Sequence, residues 1–506
     1  MRKNILIFLS LFSFLFAENQ EIDNAQKIKV EQKNIDEKEL FNQTQHSIIL
    51  NEKTLSYTAS LGTFIIESEN KKSSAKIFYV SYAKNCDDSK ERPITFVFNG
   101  GPGSASVWLH MGALGPKKII SFENNQKPVP PYTLIDNEET ILDFTDLVFI
   151  DPVGAGFSQV ITGEAEDFYG LNEDTKAVGD FICKYLTFFK KWPNPKYIIG
   201  ESYGGMRAIC LTSYLQDHYY LFFNGICLIS PVINFGHYID GNKSSILPYV
   251  LILPTYSATA WYHNLLSNDF QQKSLEDIIS ISKDFALNDY SLALLKGDLI
   301  SDMEKERIIT KLSELTGLPK DYIQENNLRI RDFSFIFKLL PKDKNTDLIP
   351  IIGMHDTRVK GYTEVLKENP SIDWISGAYS AIINDYLREE LGYVDNEPYL
   401  LLNELASQSW KWDQKGSLDY RKVDLSTELR HVLSRNPSIK ILIGCGYFDL
   451  ATPFFTNKYA INHLHLPISF RKNIKFEYYE TGHMPYLDKK AHKKLKKDLF
   501  VFFNEN

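Results

Sequence analysis

The chain has 506 residues, 43% of them hydrophobic, with 28 Tyr and 33 Phe. That is enough apolar material for one large domain with an insertion, or for two domains, and it argues against global disorder. The formal charge of −8 argues against nucleic acid as a partner, since such proteins present a basic face. Five cysteines (Cys86, Cys183, Cys210, Cys227 and Cys445) form no C-x-x-C pair, so the chain is neither a disulfide scaffold nor a zinc framework.

The first residues read MRKNILIFLSLFSFLFAENQ. Arg2 and Lys3 precede an apolar run from Ile5 to Phe16, broken only by Ser10 and Ser13, and Ala17 is a plausible cleavage residue. The run is short for a membrane-spanning helix, so it predicts a secretory signal peptide over residues 1–17. The expectation is a secreted or periplasmic protein with no stable membrane association after cleavage. Loss of the two basic residues takes the formal charge from −8 to −10. Residues 18–46 are polar and predict a flexible segment.

Residues 47–235 predict the first part of an α/β core. Alternating stretches between Ser47 and Ala83 read as antiparallel strands. Then come short apolar strands at Ile94–Phe98 (ITFVF), Leu147–Ile150 (LVFI), Lys196–Ile199 and Ile226–Ile229, with helical patterns at Asn172–Phe189 and Tyr203–Gln216. This alternation predicts βαβ units and a largely parallel sheet. Residues 236–423 carry many helical segments and read as a mostly helical cap insertion. Residues 424–506 return to the core with strands at 439–443 and 474–479 and an amphipathic helix over 491–503, whose lysines form a solvated face.

The stretch Gly200-Glu201-Ser202-Tyr203-Gly204 lies between a predicted strand and a predicted helix. A serine hydroxyl needs a base to become a nucleophile, and it must project from a strand end to meet a substrate. G-x-S-x-G on a strand–turn–helix does this; an ordinary βα turn with a capping serine is the alternative. Acyl transfer also needs backbone N–H groups aimed at the developing oxyanion. One would come from Tyr203, the other from the glycine-rich run Asn99-Gly100-Gly101-Pro102-Gly103 after an earlier strand. The orienting acid and the base should follow in the order Asp, His at later strand ends. Asp449 follows strand 439–443 and His483 follows strand 474–479. His463 and His465 form an H-x-H pair, but no ligand partners lie at metal-site spacing.

NGGPGSAS at 99–106, DPVGAGFS at 151–158, GESYGG at 200–205 and the late pair GYFDLATPF with TGHMPY together resemble the serine carboxypeptidases of the α/β-hydrolase superfamily, and their bacterial branch more than yeast or plant members. The resemblance runs from about residue 55 to the C-terminus and is poorest in the insertion. It implies Ser202 as nucleophile, His483 as base, Asp449 as its orienting acid, and an oxyanion hole at Gly101 and Tyr203. It further implies Asn99, Gly100 and Glu201 as the group that binds the substrate's free carboxylate, and Met484 beside the departing residue. No cofactor or metal is implied, and the partners would be peptides with a free C-terminus. A buried Glu201 facing a substrate carboxylate should hold a proton and donate it in a hydrogen bond, which low pH favours. The chain also departs from the family pattern. Ala113 stands where eukaryotic members carry a second glutamate, Ser104 where they have a disulfide cysteine, and Val97 where a tryptophan is common.

The same triad could serve an esterase or an acyltransferase, because fold and triad do not choose the acyl acceptor. A non-catalytic binding protein that keeps the fold would not be expected to retain all of these positions.

Overall fold

The computed structural model describes residues 40–504, apart from 87–90, 121–126, 238–244, 343–345, 365–368 and 414–416. The leader expected over residues 1–17 lies outside the described residues.

Ten strands form the main sheet: β1 (Phe41–Leu50), β2 (Lys53–Glu67), β3 (Ser74–Lys84), β4 (Ile94–Phe98), β5 (Asp146–Ile150), β6 (Gln159–Thr162), β7 (Lys196–Glu201), β8 (Gly225–Ile229), β9 (Lys440–Gly446) and β10 (Ile474–Tyr479). Their order is β1-β2-β3-β5-β4-β7-β8-β9-β10, with β6 paired to β3. From β5 to β10 every pair is parallel, and β1, β2 and β3 run antiparallel at one side. The exchange of β4 and β5 in an otherwise sequential parallel run is the sheet of an α/β-hydrolase.

The central parallel strands are short and mostly apolar because both sheet faces are covered, whereas the edge strand β10 alternates with Lys475 and Glu477. β4, β5, β7 and β8 are buried at every residue. Side chains alternate between two cores. Phe96, Ile198, Ile226 and Ile441 face a core shared with helices α1 (Leu171–Phe188) and α2 (Tyr203–Tyr219). Val97, Ile199, Cys227 and Leu442 face the other.

Residues 41–46, expected within a flexible segment, are strand: Phe41 pairs with Gly62 and His46 with Tyr57. Their side chains are exposed or half-buried, so this edge strand carries little apolar signal and composition alone cannot separate it from a tail. The stretch 236–423 does not pack as one unit. Helix α3 (Leu247–Tyr262) and the residues up to Met354 build most of a third core, which Leu450 and Ala451 beside Asp449 complete, while Leu251, Ala258, Leu275 and Ile279 join the first. Helix α4 (Pro370–Glu389) and the final helix α5 (Lys489–Asn504) bury Ile375, Tyr379, Ile383, Leu495 and Leu499 in the second core, against the sheet.

One buried ion pair ties two sheet connections together. Arg207, on α2, is fully buried; its Nε donates to Asp174 Oδ2 of α1 at 2.6 Å, and its Nη1 donates to the carbonyl of Asn99 at 2.8 Å. The guanidinium lies 5.1 Å from the ring centroids of both Phe98 and Tyr203, and the Tyr203 hydroxyl also donates to Asp174. Removing one partner strands a charge in the interior, which costs about 3–5 kcal/mol. Arg207→Ala is therefore expected to lower the unfolding free energy by about that much in urea titrations. The double variant with Asp174→Ala should lose less than the sum of the two single variants.

Candidate active site

The C-terminal ends of the parallel strands lie level with one another. Phe98 pairs with Gly200, Glu201 with Ile229, Ile229 with Gly444, and Gly446 with Tyr479. The loops that follow therefore leave the sheet at one edge, and these loops carry the residues singled out in the sequence.

Ser202 is the hinge between β7 and α2. Its backbone is at φ 60°, ψ −126°, a region costly for any residue with a Cβ, by about 1–3 kcal/mol. The strain is held by a bond from the Ser202 N–H to the Ile229 carbonyl at 2.9 Å, and by glycines on both sides. A Cβ at Gly200 would collide with the Gly204 carbonyl, and one at Gly204 would sit 2.8 Å from the carbonyls of Phe98 and Asn99. Only glycines let the turn close this tightly against the Asn99 loop, which is the physical content of the G-x-S-x-G pattern.

His483 Nδ1 lies 2.7 Å from Asp449 Oδ2. The carboxylate also accepts from the N–H groups of Ala451 and Thr452 at 2.8 and 3.0 Å and from the Thr452 hydroxyl at 2.6 Å. Burial alone would raise the Asp449 carboxyl, but His483 and Thr452 outweigh it and hold it below its ordinary value. Burial opposes charge on His483 as well, yet Asp449, with Glu201 behind it, raises the imidazole above its usual value. The His483 backbone is clamped from both sides: its N–H donates to the His355 carbonyl at 2.6 Å, and its carbonyl accepts from the Ser230 hydroxyl at 2.7 Å.

Ser202 and His483 line one cavity with Asn99, Gly100, Gly101 and Glu201. Ser104, Trp108, His355, Ile372 and Met484 complete its wall. Asp449 is fully buried behind His483, and the Tyr203 side chain points away toward Asp174. Tyr203 opens α2, so its N–H has no intrahelical acceptor. A Cβ at Gly100 would lie 2.6 Å from that nitrogen, so the glycine loop packs directly on the turn.

Glu201 is 2% exposed. Its Oε1 accepts from Asn99 Nδ2 at 2.8 Å, while Oε2 has no partner among the described residues. Burial pushes its carboxyl up to about 7, against the opposing pull of His483, Tyr486 and Asn99. Asn99 Oδ1 accepts from the Leu109 N–H at 3.0 Å, which fixes the amide orientation. Ala113 is buried, and its carbonyl accepts from His492 Nε2 and Asn137 Nδ2. In the second motif, Asp151 accepts from the Ser106 N–H and the Tyr399 hydroxyl, which fastens the far end of the glycine loop to the sheet. At the position of the family cysteine, the Ser104 hydroxyl accepts from the Trp108 indole at 2.9 Å.

All five cysteines are unpaired among the described residues. His463 donates from Nδ1 to the Tyr459 carbonyl, and among the described residues no three His, Cys, Asp or Glu side chains cluster as metal ligands. Sequence reasoning missed Trp108, His355, Ile372 and Thr452. Trp108 lies five residues beyond the glycine run and could have been drawn into it; His355 and Ile372 sit in the insertion, where no motif points to them.

The profile of the serine carboxypeptidases (Peptidase_S10) matches residues 64–490, and the chain belongs to that family. Serine carboxypeptidase-like 8 of Arabidopsis thaliana is 28% identical over 174 residues, 34% of this chain and 38% of that protein. The vitellogenic carboxypeptidase of Aedes aegypti is 32% identical over 162 residues, 31% of each chain. These alignments thus span well under half the length of the curated relatives they match. Among solved structures, proline iminopeptidase of Mycobacterium smegmatis aligns over 87% of this chain and 98% of its own, at 11% identity and a TM-score of 0.38.

The Glu201 carboxyl carries a stability consequence. Between about pH 4.5 and 7 the folded chain keeps a proton on Glu201 that the unfolded chain has released. The unfolding free energy therefore falls as pH rises through that window, by up to about 3 kcal/mol from this group. Glu201→Gln should accordingly be more stable than wild type at pH 8 and close to it at pH 4.5 in urea unfolding. An equal difference at both pH values would mean that Glu201 titrates normally.

Proposed function

We propose that the protein is a serine carboxypeptidase that releases the C-terminal residue of peptides. The observation that carries this reading is the placement of a buried carboxyl, Glu201, one oxygen of which makes no hydrogen bond among the described residues, in the same cavity as the serine on the strained turn and the histidine bonded to Asp449.

Ser202 Oγ attacks the last peptide carbonyl while His483 takes its proton. Asp449 keeps the imidazole oriented and stabilises it when charged. The N–H groups of Gly101 and Tyr203 receive the oxyanion. His483 then hands its proton to the departing nitrogen as the C–N bond breaks, which leaves an acyl group on Ser202. Water, deprotonated by His483, cleaves that ester and restores the serine. Asn99, Gly100 and protonated Glu201 hold the free carboxylate of the departing residue, and Met484 lies along its side chain. The apolar run behind Arg2 and Lys3 supports export, so the substrates would be peptides met in the periplasm or outside the cell.

The competent form has Glu201 protonated and His483 neutral. An ion pair of Glu201 and His483 contains the same number of protons, so the two titrate as one unit. A second proton blocks the base, and loss of the last one sets Glu201 against the substrate carboxylate.

The test compares an N-blocked dipeptide bearing a free C-terminus with its C-terminal amide. Free-acid hydrolysis should give a bell-shaped kcat/KM profile, with its alkaline limb near pH 7 from the Glu201 value. The amide should be cleaved more weakly and without the alkaline fall. Glu201→Gln, which donates a hydrogen bond at any pH, should flatten that limb for the free acid. Ser202→Ala should lower kcat about 10⁶-fold and Asp449→Asn about 10⁴-fold. Ser202-dependent hydrolysis of activated esters, with release from neither peptide, would assign the triad to an esterase instead.

A further inference from the structure

His355 belongs to neither the triad nor the family motifs, yet it lines the catalytic cavity. Its ring stands perpendicular to that of His483, at 87° and 5.1 Å between centroids. The turn that carries it is fastened to the His483 loop. Arg358 pairs with Asp356 and donates to the Glu480 carbonyl at 2.9 Å and to the Thr481 hydroxyl at 2.9 Å. A Cβ at Gly482 would overlap the His355 carbonyl, so the glycine of TGH permits this approach.

The hydrogen bonds around the ring determine which nitrogen holds the proton. Asn369 Oδ1 accepts from the Met354 N–H at 3.1 Å and from the Ser371 hydroxyl at 2.7 Å. The opposite amide orientation would set Nδ2 against that N–H, donor to donor. Nδ2 therefore faces His355 Nδ1, 2.7 Å away. An amide nitrogen only donates, so Nδ1 must accept, and the proton of the neutral ring lies on Nε2. Burial and the neighbouring His483 push the His355 imidazole down to about 3, so the ring stays neutral where the enzyme works. Nε2 has no partner among the described residues and is not a sealed orphan, so its N–H is open to the cavity.

We propose that His355 is a specificity-determining residue whose Nε2–H donates to a neutral oxygen acceptor on the departing residue's side chain, above all a carboxamide. This rests on the carboxypeptidase reading. The cavity that contains the carboxylate-binding set also contains His355, and around it Trp108, Ile372 and Met484 are apolar or nearly so. One fixed donor on such a wall distinguishes an oxygen from a methyl group of the same shape. A cationic side chain would meet the donor end of His355 and is disfavoured.

The experiment takes N-blocked dipeptides ending in Asn or in Leu, which have nearly the same shape, and measures the ratio of their kcat/KM values. Within one variant, any general change in the triad cancels. His355→Phe should lower the Asn-to-Leu ratio about tenfold relative to wild type. His355→Gln, which presents an N–H at similar reach, should restore most of it. Asn369→Leu keeps the ring but frees the proton to move to Nδ1, and should lower the ratio part of the way; it serves as the test if the phenylalanine variant does not fold. An unchanged ratio in these variants overturns the assignment while the carboxypeptidase reading stands. An equal fall for both peptides also overturns it, because His355 would then act on the shared carboxylate or on loop position. Release of neither residue by the wild-type enzyme overturns the carboxypeptidase reading and this assignment together.

Discussion

The site depends on a charge that never touches it. Arg207 is sealed beneath the nucleophile turn, where it bonds the Asn99 carbonyl and the Asp174 carboxylate and lies against Phe98 and Tyr203. The residues it joins belong to three different connections of the sheet. In the proposed mechanism the glycine loop and the serine turn must approach within ångströms for one substrate carbonyl to meet both. The buried guanidinium holds that approach in a way apolar packing could not, because its donors specify direction as well as distance.

Above this foundation, the groups of the candidate site are held mainly through their main chains. The Ser202 N–H is bonded across to β8, and His483 is fixed at both its N–H and its carbonyl. Asp449 fills its acceptor capacity with Ala451, Thr452 and His483. Glu201 differs, since one of its oxygens has no partner among the described residues. A group left short of partners in the interior is destabilising, and such deficits gather where a ligand is to supply the missing bond.

The parts legible in the sequence were those imposed by local backbone geometry. The strands at Ile94–Phe98 and Ile474–Tyr479 were read to the residue, the first because a continuous apolar run between polar turns has few other solutions, the second because Lys475 and Glu477 alternate with apolar and aromatic residues. The serine turn was legible because only glycines fit beside it, and Asp449 and His483 because they follow strand ends within a few residues. The edge strand at 41–46 was missed because, after Phe41, its side chains are polar on both faces. His355 was hidden for another reason. Its partners, Asn369 and Ser371, lie 14 and 16 residues away in an insertion where no motif points to them, so the tautomer they impose exists only once the chain has folded.

The Ser104 hydroxyl accepts from the Trp108 indole in the cavity wall, and every thiol among the described residues is unpaired. Among the described residues the cavity wall is thus assembled by packing and hydrogen bonds, with no disulfide in it. Reduction therefore has no bond to break in the described wall of this cavity, whose residues keep their places by noncovalent contacts.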